Sequence, residues 1–214
     1  MAIEPRDAAD YGNEIPRIPL LDAAVLAELR RRYAEPHRSH HGWARIGAML
    51  EVAEDVAGAI ANRSAFILAV LFHNAVFDPK SADSAQRSAQ LMRDMMGRSA
   101  PPATLARAEA LILAVARQEL PETRDASLRG DAMLLLDADL SILGAPSAAF
   151  DVYEATHRQE QAHLRPDSYR AGRSAELQML LWRDRIFRTD RFFLACERQA
   201  RRNIARAIAT LEAE

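Results

Sequence analysis

With 214 residues, 49% of them hydrophobic, the chain is long enough to enclose a sizeable core within one domain. Its 28 basic and 30 acidic residues leave a formal charge of −2, and that balance excludes a general electrostatic footprint for nucleic acid. A single cysteine, Cys196, excludes an intrachain disulfide framework and a cysteine-built zinc cluster; its apolar, helical neighbours mark it as a buried small hydrophobe. Lys80 is the only lysine, so the other cations are arginines. A GC-rich genome is the first explanation of that bias, although arginine also has the planar fork that grips phosphate in two places.

In chain order, residues 1–18 read as a loose polar arm punctuated by prolines, without a signal-peptide pattern. Residues 19–214 then form one helical domain, with no repeat or composition shift to divide them. Val25, Leu26, Leu29 and Tyr33 make a first helical stripe, and Ile46, Met49, Leu50, Ala53, Val56, Ala57 and Ile60 a second. Ser64 can cap the run from Ala65 to Val76, which is apolar on nearly every face and belongs at the centre of a bundle. The pair Asp78-Pro79 stops it, because a residue before proline avoids the helical region. The apolar run from Ala65 to Phe77 is too short for a bilayer, which needs about 20 residues. A cytoplasmic protein with no membrane partner is therefore expected.

Leu91, Met92, Met95 and Met96 suggest a helix that ends on Gly97 as a left-handed cap. After a linker from Ser99 to Pro102, Leu105, Ala108, Leu111, Ile112 and Val115 form the third stripe. A leucine-rich stretch runs from Asp131 to Leu143 and closes on Gly144. Pro146 starts a helix reaching about Gln161, and Pro166 breaks the chain again. Long helices over Ala175–Phe187 and Phe192–Leu211 finish it, the last carrying the stripe Ile204, Ala207, Ile208 and Leu211. The expected class is all-α, with eight or nine helices.

The chemistry concentrates in few places. Three of the six histidines lie in Pro36-His37-Arg38-Ser39-His40-His41, and His73 lies beside Asn74 inside the central apolar run. Asp137 and Asp139 lie in the leucine-rich stretch. Histidine with carboxylate is an ordinary ligand set for a catalytic metal. Equally, His73 can be a satisfied core histidine, the His37–His41 cluster a solvated helix start, and Asp137 a cap or the partner of an arginine.

Three segments carry a family resemblance: Tyr33 to Trp43 (YAEPHRSHHGW), Leu71 to Pro79 (LFHNAVFDP) and Leu135 to Gly144 (LLDADLSILG). Further matches follow at Tyr153, Arg158 and Glu160, at Tyr169 with Gly172-Arg173, at Ile186-Phe187 with Thr189, and at Glu197 with Ala200-Arg201 and Asn203. Together, over residues 20–211, they resemble the predicted metal-dependent phosphohydrolases of the HD superfamily. The resemblance implies an all-helical, HD-domain-like bundle around a divalent-metal centre that activates water against a phosphorus atom. The implied ligands are a histidine, a later His-Asp pair and a distant Asp.

Taken residue by residue, the match departs from that set. The first ligand falls on Arg45, and the His-Asp pair falls on His73-Asn74. The last falls on Asp137, which is retained. Ser39-His40-His41 stands where the pattern has His-Tyr-His, Ser84-Ala85 where it has Asn-Glu, and Gln118 near an expected histidine. His41 survives as a substitute ligand. A guanidinium gained and a carboxylate lost shift the pocket by about +2, the charge a divalent ion would have supplied. Arg45 is expected to pair with Asp137, with His73 and Asp137 in one central pocket and Asp139 pointing elsewhere. The resemblance then implies an eroded site without metal or catalysis, holding a small phosphate-containing ligand through Arg45, Asn74, Arg158 or Arg173. The alternative is an active phosphohydrolase with one divalent ion on His73, Asp137 and His41 or His40.

Overall fold

A computed structural model describes residues 21–213, which are helix, turn and loop without a strand among them. Nine α-helices follow in order: α1 (Ala23–Tyr33), α2 (Trp43–Asp55), α3 (Arg63–Phe72), α4 (Ser84–Met96), α5 (Pro102–Arg117), α6 (Ala126–Leu140), α7 (Ser147–Glu160), α8 (Pro166–Leu181) and α9 (Asp190–Ala213). The all-α expectation holds among the described residues. The arm expected over 1–18 lies outside them. Among the described residues no single helix is long and apolar enough to cross a membrane. Two compact units can be distinguished, whose described residues are 21–138 and 139–213.

In the first unit α3 is the centre. Every side chain from Ala65 to Phe72 is withdrawn from solvent, and α2, α4 and α5 pack around it. This is the fate of a helix with no polar face. Its ends differ from the sequence expectation. Asn62, not Ser64, is the cap: its side chain accepts from the Ala65 N–H at 3.0 Å. The helix ends at Phe72 rather than Val76, well before Asp78-Pro79. The reason is long-range. The Tyr33 hydroxyl donates to the Leu71 carbonyl, Arg38 takes the carbonyls of Asn74 and Ala75, and Ser88 bonds both the N–H and the carbonyl of Val76. Backbone groups that would have continued the helix are satisfied by side chains from elsewhere.

The second stripe is also shorter than read. α2 stops at Asp55, and Ala57–Ala59 is a 3-10 turn. Gly97 does follow α4, but with φ −59° in the right-handed region, not as a left-handed cap. The left-handed cap belongs instead to Gln118 after α5, with φ 53°.

In the second unit the 3-10 turn Ser141–Gly144 lies against α9. A Cβ on Gly144 would stand 2.6 Å from the Cys196 Cβ, so only glycine permits this approach. Cys196 is buried, as its neighbours in sequence suggested. Helix α8 begins at Pro166, which stands in its first turn, and ends at Leu181, in place of the expected Ala175–Phe187. Arg201 takes the carbonyls of Leu181, Arg183 and Asp184, while the Glu197 carboxylate accepts from the N–H groups of Ile186 and Phe187. That pair fixes residues 181–187 as a turn. Asn203 anchors the preceding connection through the carbonyls of Leu143 and Ala145.

Candidate functional site

The histidine-rich connection between α1 and α2 folds onto the turn that follows α3. Its organiser is Arg38, whose side chain is fully enclosed. The guanidinium donates to the carbonyls of Asn74 (2.6 Å), Ala75 (3.2 Å) and His41 (3.3 Å), and pairs with Glu35 at 3.1 Å. It also lies over the rings of Tyr33 and Phe77, at 5.1 and 5.4 Å. The result is a turn, Asn74–Phe77, whose shape is dictated by a cation beneath it. His37 Nε2 donates to the Phe77 carbonyl at 3.0 Å, and its ring stacks on Phe77. His41 packs on the same ring at 4.4 Å, with His40 edge-on to His41. Burial pushes the Tyr33 phenol well above its ordinary range, so it serves as a neutral donor.

His73 caps α3 and is buried. Its Nδ1 bonds the Val70 carbonyl at 2.8 Å, which places the ring proton there and leaves Nε2 as the acceptor nitrogen. Asn74 is half-buried on the turn. Asp137 is completely enclosed in α6, whereas Asp139 is partly exposed. Arg45 stands in the first turn of α2, half-buried, with its Nε out of contact with solvent. His73, Asn74, Asp137, Arg45 and His41 all belong to the first unit. Among the described residues no three His, Cys, Asp or Glu side chains are gathered where they could hold a metal ion. His73, Asp137 and His41 are thus not brought together as a three-ligand set. Arg45, a fixed cation, and Asn74, an uncharged amide, are poor ligands for a divalent ion.

Arg158 and Arg173 belong to the second unit and have structural partners there. Arg173 is buried between Glu154 (2.5 Å) and Glu176 (2.8 Å) and donates to the Tyr153 hydroxyl. Arg158 donates to the carbonyls of Gln161 and Leu164 and lies 4.6 Å over the Tyr169 ring. Burial pushes the Tyr169 phenol up to about 12. These are the contacts of bundle-locking arginines.

Two anchors had no site role in the sequence reading. Arg38 lies within the quoted motif, but the histidines around it drew the attention. Asp131 marked only the start of a leucine-rich stretch. It is buried, accepts from the N–H groups of Ala61 (2.7 Å) and Asn62 (3.0 Å), and is approached by Arg107 at 3.4 Å. A charged residue inside an apolar helical run was the available signal, since such a group must find a partner.

Outside the turn lies a cleft of about 500 Å³. Arg32, Glu35, His37, Phe77, Lys80 and Arg87 are among the residues that line it. It draws on the end of α1, the loop after α3 and the first turn of α4. No family model, no curated protein and no solved structure matches this chain.

Proposed function

We propose that this chain is an HD-superfamily-like helical protein with an eroded metal site, and that it binds a small phosphate-containing molecule without hydrolysing it. The observation that carries the reading is the exchange of charge within one compact unit. A guanidinium stands at position 45 and an amide at position 74, while Asp137 remains as an enclosed carboxylate. An enclosed carboxylate needs a cation or a proton. In this reading Arg45 meets that need permanently, and repels a dication from the same place. The orientation of His73, with Nε2 as the acceptor nitrogen, favours the second reading, an active phosphohydrolase with a reduced metal site.

Metal content of the purified protein separates the two. The expected result is no stoichiometric manganese, iron, nickel or zinc, and no turnover of phosphate monoesters. Retained metal, together with turnover that His73→Ala abolishes, overturns the proposal in favour of the second reading.

A further inference from the structure

We infer that the cleft between the end of α1, the Ala75–Lys80 loop and the first turn of α4 binds a phosphate monoester of mononucleotide size. Three separate elements deliver cations to one rim: Arg32 from α1, Lys80 from the loop and Arg87 from α4. Their acidic neighbours are already engaged. Glu28 is shared by two guanidiniums, those of Arg31 and Arg32, and the bond from Arg31 with Arg32 beside it holds its carboxyl at about 2. Glu35 faces the buried Arg38. Asp78 accepts from the backbone N–H of Lys80 at 2.9 Å. Arg87 has only a loose contact with Asp83, at 3.7 Å.

Counting these partners with the rim, five cations (Arg31, Arg32, Arg38, Lys80, Arg87) face four carboxylates (Glu28, Glu35, Asp78, Asp83). A positive excess remains in a chain whose net charge is negative. Arginine forks suit tetrahedral oxyanions, and a lysine adds a mobile point charge. Glu35, Asp78 and His37 also line the cleft, and Val76, Phe77 and Pro79 give it an apolar wall for the body of an ester. The volume falls in the range that holds a small organic ligand, about 300–1,000 Å³. The Phe77 wall is held in place by His37, His41 and Arg38, so this part of the cleft is formed before any ligand arrives.

The inference does not rest on the metal-site reading, because Arg32, Lys80 and Arg87 lie outside positions 45, 73, 74 and 137. Isothermal titration of the full chain with adenosine 5′-monophosphate, at low and raised salt, tests it. Saturable one-to-one binding is expected, weakened by salt and weakened about tenfold or more in K80A/R87A, a change of about 1.4 kcal/mol. R87E should weaken it further, and R117A, an exposed change on α5, should leave it unchanged. Circular dichroism of each variant should match the parent, since both cleft side chains are largely exposed. Absence of saturable binding by the parent overturns the inference. So does binding that survives K80A/R87A and R87E. If that surviving binding is lost in R45A, the ligand belongs to the pocket of the preceding section instead.

Discussion

Arg38 in the first unit and Arg173 in the second are both buried arginines, yet they do opposite work. Arg173 answers carboxylates: Glu154 on α7 and Glu176 on its own helix, with the Tyr153 hydroxyl completing the group. Its bonds tie one helix to another. Arg38 answers backbone: three carbonyls from two loops, with one carboxylate at its edge. Its bonds end a helix and mould the turn that walls the cleft. A cation bonded to carboxylates locks elements that already exist, whereas a cation bonded to carbonyls decides where an element stops. Arg201 shows the second pattern again, closing α8 through the carbonyls of Leu181, Arg183 and Asp184.

The largest effect should come from Arg38→Met. It orphans carbonyls around a buried turn and leaves Glu35 without its cation, a loss of about 3–5 kcal/mol. Denaturant unfolding measures the loss, and amide exchange at residues 73–77 should accelerate beyond the global change. A uniform acceleration would break the distinction drawn above. Arg173→Met should cost less, about 2–3 kcal/mol, because Glu154 and Glu176 keep access to water. It should leave adenosine 5′-monophosphate binding intact, whereas Arg38→Met should impair it. Equal losses of binding in the two variants would remove the contrast.

Gln118→Gly sharpens the comparison from the opposite side. There the backbone itself closes a helix, at φ 53°, with the N–H of Gln118 bonding the Ala114 and Val115 carbonyls. Glycine adopts that conformation without the steric cost carried by other residues. Stabilisation of about 0.5–1 kcal/mol is expected, reduced somewhat by loss of the side-chain bond to Val115. The smallest effect concerns the exposed cap of α6. The Ser127 hydroxyl and the Leu128 N–H, with Arg107 beside them, hold the Asp125 carboxyl at about 2, below its ordinary 3.8. A lowered folded-state value means that its stabilisation is present above about 3.8 and is lost as pH falls through about 2. Asp125→Asn should therefore lower stability slightly near neutrality, where the charged cap is intact, and flatten the acid limb between those values, so that the two proteins converge below about 2. An unchanged acid limb would show that this cap does not contribute to it.

The periodic stripes made the helices legible in the sequence, and the featureless apolar face of α3 announced its central place. Helix ends were less legible where the deciding partner is distant. Nothing near Val76 reveals that Arg38, 36 and 37 residues from its acceptors at Asn74 and Ala75, stops α3 four residues early. Nothing near Phe187 reveals Glu197 and Arg201. Gly97 misled because glycine permits the left-handed conformation without requiring it. The candidate ligand positions were legible as residue types, and His73 and Asp137 are indeed buried. The cleft was not legible at all, since Arg32, Lys80 and Arg87 converge only through the packing of three elements.

The most direct test of the proposal that a metal site has been eroded here is a manganese titration of the Arg45→His/Asn74→Asp variant beside the parent. Removing the fixed cation and restoring the carboxylate should tighten binding by about tenfold or more, equivalent to about 1.4 kcal/mol, over a parent that binds weakly or not at all. Equal affinity in the two proteins, or tighter binding by the parent, would contradict the claim that these two side chains replaced the ion.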